Sequence, residues 1–505
     1  MRTKNSIKNT ITSFISNIIS FVFLFISQTI FIKIMGIEYT GLNGLFSNVL
    51  TLLNLFELGI GSAIIYNLYK YISKKNKEQI KSIMKFYKTS YSIIALLIFI
   101  VGLSLTPFIK YIVGKTTVDI NIYIVYILFL ISTVATYIIS YKRNLIYAYQ
   151  RNYILNIIHL IYLVILNISQ LLIILITKNY YLYLVIKILC ILIENIIITY
   201  KANHDYPYLL EKNINPIKKE VKEDVVSRVK ALFIHKVSGV VTYGTDNILI
   251  SMFFGLKAVG LYTNYHYIIQ TIDTLFRNIT FSTNASVGNL LVEKKYKERF
   301  IAFNKIRFLN LCITIITSTC LLCLIEPFII LWLGKKYILS KLILFILIVN
   351  YYQSMMKTPY NVFKDSAGIW REDKYVPLIQ VFLNLISSII LLKIFGISGI
   401  FMGTIISSLL VWFYSYPKFV YTKLFNRKYK DYYIEMLKKI LLSIIIITIT
   451  YLITISFNIK ILLLNLIIKL LISLIIPIIV LYLIYRKTDE YKYYIYLINK
   501  GIKRK

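Results

Sequence analysis

Histidine and cysteine are scarce, four of each in 505 residues, and acidic side chains number only 22. The histidines, His159, His204, His235 and His266, are scattered, and no His-Glu-x-x-His zinc pattern occurs. The chain has no Gly-x-x-x-x-Gly-Lys-[Ser/Thr] stretch, which excludes an ATP-hydrolysing P-loop. It also has no Gly-x-Ser-x-Gly nucleophile elbow. Cys190, Cys312, Cys320 and Cys323 all lie in apolar runs. The Cys320-x-x-Cys323 pair lacks the strand context of a redox motif, so the four read as packing residues. Large outer-face loops carrying charged groups, which a membrane glycosyltransferase or polysaccharide polymerase would want, are missing as well. Transport is favoured over chemistry, with no catalytic residue, cofactor or metal expected.

What is abundant is apolar surface: 58% of residues are hydrophobic and mean hydropathy is +0.70. Windows of roughly twenty apolar residues recur from end to end, each long enough to span a bilayer. The fold class is therefore an all-α polytopic membrane protein. The first window, Ile11 to Met35, is too long for a signal-peptide core and has no small-residue cleavage site, so it reads as retained. Net charge is +36, which in a soluble protein would suggest nucleic acid. Here roughly 45 of the basic residues fall on one side of the alternating loops and roughly 13 elsewhere, the positive-inside asymmetry. No nucleic-acid partner is expected. The reading is a multi-pass protein of the inner (plasma) membrane with both termini cytoplasmic, whose basic surface also attracts anionic lipid headgroups.

Taken in order, the apolar segments number about fourteen. Residues 1–203 form a first lobe of six helices. A polar stretch, 204–230, contains Pro207 and Pro216 and reads as a cytoplasmic linker. Residues 231–425 form a second six-helix lobe, and 426–505 hold two further helices, nearly uniformly Ile and Leu and expected at the periphery, with a basic tail.

The two lobes are a duplication. Gly36-Ile-x-x-x-Gly41-Leu42 returns as Gly255-Leu-x-x-x-Gly260-Leu261, and Lys74-Lys-Asn-Lys-Glu-Gln79 as Lys294-Lys-Tyr-Lys-Glu-Arg299. Pro107-Phe-Ile-Lys-Tyr-Ile-Val-Gly114-Lys115 returns as Pro327-Phe-Ile-Ile-Leu-Trp-Leu-Gly334-Lys335, and Arg151 as Arg371. All share one register with a single-residue slip. Six helices precede the linker and six follow it, so the copies have the same orientation, as in parallel-repeat transporters with substrate between the halves.

Several segments carry polar residues three or four apart, hence on one helical face. The longest stripe runs from Tyr262 to Leu291: His266, Gln270, Asp273, Arg277, Thr280 and Asn284. Segment 42–68 has Asn43, Ser47, Asn54, Glu57 and Gly61; segment 231–254 has His235, Ser238, Thr242 and Asp246. Segment 342–366 has Asn350, Ser354, Lys357, Asn361 and Lys364. Shorter sets occur at Ser13, Asn17, Ser20 and Ser27, and at Tyr137, Tyr141 and Asn144. Uncompensated charge in the bilayer is costly, so these side chains should face protein or a wet cavity. A lining with fixed cations suits an anionic headgroup bearing sugars, because Arg and Lys hold phosphate while amides and hydroxyls meet hydroxyls. The candidate substrate-binding residues are Arg277, Lys357, Lys364, Asn54, Gln270, Asn284 and Asn361. Glu57, Asp246, Asp273 and His266, which can take up and release a proton, are candidates for ion coupling. Simpler readings stand beside these. Asp273 and Arg277 can neutralise each other along the helix, Lys357 and Lys364 can belong to a solvated helix end, and Glu57 and Asp246 can bond neighbouring helices.

The motifs Gly36-x-x-x-x-Gly41-Leu42, Glu57-Leu-Gly59-Ile-Gly61-Ser-Ala63 and Pro327-Phe-x-x-x-x-x-Gly334-Lys-x-Tyr337 carry a resemblance. With the fourteen-helix count, the chain resembles the bacterial polysaccharide flippases of Wzx type, in the multidrug/oligosaccharidyl-lipid/polysaccharide (MOP) transporter superfamily. The resemblance implies two six-helix bundles that alternate access. It implies a substrate, an undecaprenyl-diphosphate-linked oligosaccharide moved from the cytoplasmic to the outer leaflet for O-antigen, capsule or another surface glycan. A proton or sodium counter-ion and other polysaccharide assembly proteins are the implied partners. It also implies a cationic lumen, which Arg277, Lys357 and Lys364 can supply. Lipid II flippases and drug/cation antiporters of the same superfamily are the alternatives, and a membrane-embedded polymerase is the alternative from another class.

Overall fold

The computed structural model describes residues 2–502 except Leu58, Ile139, Lys212, Trp370, Arg371 and Asn458; some helical residues, among them 2–7 and 231–236, are described by backbone only. Arg371, the expected counterpart of Arg151, lies outside the described residues. Among the described residues all regular structure is helical, and the chain is a multi-pass membrane protein. It divides into two compact units, Met1–Gly260 and Leu261–Lys505.

The first unit holds α1 (Arg2–Met35), α2 (Ile37–Leu53), α3 (Ile60–Ser73), α4 (Lys77–Ser104), α5 (Ile109–Val113), α6 (Ile122–Ile138), α7 (Tyr141–Ala148), α8 (Asn152–Thr177), α9 (Tyr180–Asp205), α10 (Lys219–Gly244) and α11 (Asp246–Phe254). Small polar residues join its helices, as is common where lipid gives helices no hydrophobic reason to associate. Ser27 on α1 donates to Asn167 Oδ1 on α8 at 2.7 Å, and Asn156 on α8 donates to Ser13 Oγ at 2.8 Å. The stretch 204–230 is not all loop, since α10 begins at Lys219.

The expected helix over 42–68 is broken. A single 3₁₀ turn, Asn54–Glu57, separates α2 from α3, and Gly59 takes φ +77°. That left-handed conformation is cheap only for glycine, so the Glu57-Leu-Gly59-Ile-Gly61 motif encodes an interruption rather than a turn of helix.

The paired glycines of the duplication meet each other. A Cβ on Gly41 would lie 2.1 Å from the Leu256 carbonyl oxygen, and one on Gly260 would lie 2.2 Å from the Ile37 carbonyl oxygen. The relation is reciprocal: each copy's second glycine lets the backbone just after the other copy's first glycine come close. Gly36 and Gly255 share positive φ, +94° and +79°.

Helix α12 (Leu256–Phe281) runs from the end of the first unit into the second, which continues with α13 (Asn284–Glu293), α14 (Tyr296–Trp332), α15 (Lys341–Ser366), α16 (Tyr375–Phe395), α17 (Ile397–Leu410), a π-helical stretch (Val411–Thr422), α18 (Lys423–Phe425), α19 (Tyr429–Ser456), α20 (Leu462–Tyr485) and α21 (Asp489–Ile502). The expected single helix from Tyr262 to Leu291 is two, parted at Ser282 and Thr283. The 37-residue α14 forms the spine of this unit, with α15, α19 and α20 packed on it. In its most apolar window 61% of residues are buried, against 17% for α20, which turns most of its surface to lipid. An aromatic core, including Phe303, Tyr360, Trp412, Tyr416 and Tyr421, fills the end of the unit formed by α14, α15 and the π-helical stretch. Tyr360 and Tyr416 stack with centroids 4.6 Å apart. All four cysteines are free thiols.

Nine helices among the described residues are long and apolar enough to cross a membrane, ten if α6 and α7, bent by 43°, count as one span. The four further segments expected from the sequence, near 42–68, 231–254, 262–291 and 342–366, fall short because they are interrupted or too polar. These are the segments with the densest stripes. Polarity that lowers a helix's fitness for lipid is retained where it serves a site.

Candidate functional site

The second unit gathers the stripe cations. Asp273 and Arg277 lie one turn apart on α12 and form a bidentate pair, with Arg277 Nε 2.8 Å from Asp273 Oδ2 and its Nη2 on Oδ1. The fork geometry leaves guanidinium donors free to reach elsewhere. Arg277 uses them on α15, donating to Ser354 Oγ at 2.9 Å and Thr358 Oγ1 at 3.2 Å. The self-neutralising pair read as one alternative is present, and it clamps α12 to α15.

Lys357 lies on α15 between Ser354 and Thr358 in sequence. It is 8% exposed, and its ammonium donates to Ser408 Oγ of α17 at 2.8 Å. Among the described residues no carboxylate pairs with it. An ammonium has three donors, and a buried one without a counter-charge is expensive to keep. Lys364, one spacing further on, is also buried and so is not a solvated helix end. It pairs with Asp373, whose Oδ2 accepts from Ser415 Oγ at 2.7 Å. Asp373 was not legible as a partner, because it sits outside the helix, in the loop before α16. Of the three cations, Arg277 and Lys364 are neutralised and Lys357 is not.

The remaining candidates of this unit are less tightly gathered. Asn361 accepts from Tyr416 Oη at 2.9 Å. Asn284 stands beyond the break, on α13; its carbonyl accepts from Ser366 Oγ at 3.2 Å, while its Oδ1 is buried without a partner. Gln270 and His266 are exposed on α12. A cavity of about 380 Å³ lies between α14, α15, α17, the π-helical stretch and α19. It is lined by apolar side chains with Gln353, Tyr352, Ser443 and Lys439 among them, and no stripe candidate faces it.

The first unit gathers carboxylates and tyrosines. Glu57, at the break between α2 and α3, accepts from Tyr91 Oη of α4 at 2.8 Å. Tyr91 packs edge-on against Tyr87, which accepts from Asn144 of α7, and near Tyr137. Gly61 leaves room for the cluster, since a Cβ there would lie 3.0 Å from both Glu57 Oε1 and Tyr91 Oη. Among the described residues nothing bonds Asn54 Oδ1, which is buried beside this break. Asp246 opens α11, is 6% exposed, and among the described residues its Oδ1 has no hydrogen bond. The side chains of His235, Ser238 and Thr242 lie outside the described residues.

Two buried ion networks escaped the stripe analysis. In the first unit Glu194 on α9, 6% exposed, meets Arg143 at 3.0 Å and His159 at 2.9 Å. In the second, Arg307 on α14 joins Glu435 of α19 and Tyr421 of the π-helical stretch, and Tyr421 itself donates to Glu435 at 2.8 Å. The signal was there for Glu194, a lone carboxylate in an apolar run, whereas Arg307 follows Asn304 and Lys305 in the sequence. Periodicity missed them because a stripe needs several polar residues on one helix.

Beyond the spans, Glu38 caps the turn after α5. It accepts from the Thr117 backbone N–H at 2.9 Å and from the Thr117 and Thr116 hydroxyls at 2.8 and 3.0 Å. Burial pulls its carboxyl upward, but these hydrogen bonds and the nearby Lys257 charge outweigh it and hold Glu38 below its ordinary value.

With this geometry in place, the comparisons with known proteins can be read. The family described as "Polysaccharide biosynthesis protein" matches residues 4–283, more than half of the chain. No curated protein sequence matches. Among solved structures, the lipid II flippase MurJ in an inward closed conformation superposes with TM-score 0.67 at 17% identity, covering 95% of this chain and 99% of that one. A multidrug resistance MATE family transporter of the MOP superfamily, inward-facing, gives 0.58 at 12% identity, covering 77% and 91%. The Vibrio cholerae MATE transporter VcmN gives 0.56 at 12%, covering 84% and 99%. At these identities the likeness is one of fold, and the matched folds are those of transporters.

Proposed function

This chain is a member of the polysaccharide biosynthesis protein family, and from that premise we propose that it is a flippase of Wzx type. It moves an undecaprenyl-diphosphate-linked oligosaccharide from the cytoplasmic to the outer leaflet of the inner membrane by alternating access of its two duplicated halves. It is a transporter and not an enzyme. In this reading the four interrupted or polar segments also cross the membrane, for fourteen spans in all, and both termini lie on the basic, cytoplasmic side.

The observation that carries this reading is Lys357. A buried ammonium that among the described residues has one hydroxyl partner and no carboxylate can offer further donors to a phosphate oxygen. Arg277, clamped beside it through Ser354 and Thr358, adds a second cation whose fork suits phosphate. Gln270, Asn284 and Asn361 in the same unit supply amides for sugar hydroxyls. Lys364 then serves as the ion-paired end of the stripe. Coupling by proton or sodium falls to Glu57 and Asp246, with Asp273 and His266 as further candidates. Likeness of fold over 95% of the chain favours transport of lipid II itself as the second reading.

The experiment compares lipid-linked oligosaccharide on the cytoplasmic side of cells carrying Lys357→Met, Lys357→Arg, Arg277→Ala or Arg277→Lys. Accumulation of about ten-fold or more is expected for Lys357→Met at normal membrane levels, with partial rescue by Lys357→Arg. Arg277→Ala should accumulate substrate and Arg277→Lys less. Unimpaired glycan export in a strain lacking this protein and any redundant flippase overturns the proposal. Accumulation of peptidoglycan precursor in place of oligosaccharide favours the second reading.

A further inference from the structure

Helix α21 (Asp489–Ile502) has no role in the transport reading, and its surface is unusual for a helix outside the spans. Its apolar residues Tyr491, Tyr494, Ile495 and Ile498 follow the i, i+3, i+4, i+7 spacing of one face, with Lys492 and Asn499 flanking that face and Lys500 opposite it. The first turns are covered by protein. Tyr494 Oη donates to the Lys305 carbonyl at 3.2 Å, Tyr494 packs near Phe308 of α14, and Tyr491 lies edge-on to Tyr482 of α20 with centroids 5.9 Å apart. The following turns are not covered: Ile495 is 37% exposed, Tyr496 60%, Leu497 41% and Ile498 56%.

The fold fixes what lies against that face. Helix α20 has 24 residues, about 36 Å of rise, against a hydrocarbon thickness of about 30 Å. Tyr485 at its end therefore stands at headgroup depth. Only Arg486, Lys487 and Thr488 separate it from α21, and the contacts to Tyr482 and Lys305 hold α21 back at that level. Arg486 and Lys487 precede the helix, Lys492 and Lys500 lie on it after the acidic Asp489 and Glu490 of its first turn, and Lys305 Nζ stands 3.8 Å above the Tyr493 ring.

We infer that α21 is an in-plane membrane helix: it buries Ile495 and Ile498 at the boundary of the adjacent leaflet and binds anionic phospholipid headgroups through Lys492, Lys500 and the neighbouring basic residues. Tyrosine suits that depth, with its ring in the apolar zone and its hydroxyl in the wet one, and the mix of an apolar face with basic residues beside and opposite it is that of interfacial helices. The lysines add attraction that depends on lipid charge. The inference does not depend on which substrate the protein carries.

The test is amide hydrogen exchange over residues 489–500 of the purified full chain. The protein is held in amphipol, in phosphatidylcholine vesicles, and in vesicles with a quarter of phosphatidylglycerol. Protection is expected to rise about ten-fold from amphipol to anionic vesicles and less in neutral ones. Ile495→Ser with Ile498→Ser should abolish the rise, and Lys492→Gln with Lys500→Gln only its anionic part. Unchanged exchange in α14 and α20 certifies the fold of both variants. Equal exchange in amphipol and in both vesicles overturns the inference. So does protection that appears only when a soluble cell extract is added, which would assign the face to a protein partner.

Discussion

Leu55-Phe56-Glu57 in the first copy of the duplication and Leu275-Phe276-Arg277 in the second are the same local motif with opposite charge, and they have opposite backbones. In the first copy the helix breaks after Glu57, where Gly59 takes φ +77°. In the second the matching position is Ile279, and α12 runs through it to Phe281. A β-branched residue pays heavily for positive φ, so one side chain decides whether the charged residue sits at a helix break or on a helix face. Glu57 at its break is met by a tyrosine hydroxyl, while Arg277 on its face is met by a carboxylate and the hydroxyls of α15. Glu38 and Lys257 show the same exchange of sign between copies. Duplication supplied one scaffold twice, and substitution reversed the sign of the charge at matching positions.

The comparison can be broken most sharply at the glycines the copies share. Gly260→Ala and Gly41→Ala each place a Cβ against backbone, and each should cost about 4 kcal/mol or more, with loss of folded protein on solubilisation. A variant with wild-type thermal stability would remove the claim that the copies interlock there. Next in size is Arg307→Ala, which strands Glu435 and should cost about 3–5 kcal/mol. Arg307→Met with Glu435→Leu should recover most of that in a denaturation series, because such a pair is dear to break and cheap to replace. If it does, the second unit's cations divide into structural Arg307 and functional Lys357. Lys357→Met sharpens the division further. It removes an unpaired buried charge, so the protein should be unchanged or about 1–3 kcal/mol more stable while transport fails. A destabilised Lys357→Met protein would mean that Lys357 serves structure.

In the first unit, Glu57→Gln keeps an oxygen for the Tyr91 hydroxyl and should change stability by about 1 kcal/mol or less. Transport should nevertheless lose its dependence on the ion gradient; retained dependence moves the coupling site to Asp246. The smallest effect belongs to Glu38. Its carboxyl is held low in the folded state, so its contribution is present above the ordinary value of 4.5 and is lost as pH falls through the lower folded value. Because the group is half-buried and open to screening by solvent, the loss is under about 1 kcal/mol. The melting temperature of the wild type should fall slightly more than that of Glu38→Gln between about pH 5 and pH 3, and parallel curves would remove Glu38 from the account.

Much of the second unit's site was legible because it repeats along single helices. The spacings of Asp273 with Arg277 and of Ser354, Lys357, Asn361 and Lys364 put those residues on shared faces, and the structure keeps them there. The break at Asn54–Glu57 was less so: the glycines were visible, but their φ depends on what packs around them. Glu194 was visible only as an isolated charge in an apolar run, and Arg307 only as one of several cations near the start of a long helix.

The sequence by itself determined the helical membrane class, the duplication and the polar faces, because hydropathy and a 3.6-residue period are properties of short neighbouring segments. Tertiary structure alone decided which charges are spent. Asp373 neutralises Lys364, Glu435 neutralises Arg307, and among the described residues Lys357 donates to the Ser408 hydroxyl and meets no carboxylate. Those partners come from other helices and loops, and the low dielectric that makes each pairing matter exists only once the helices have closed around it.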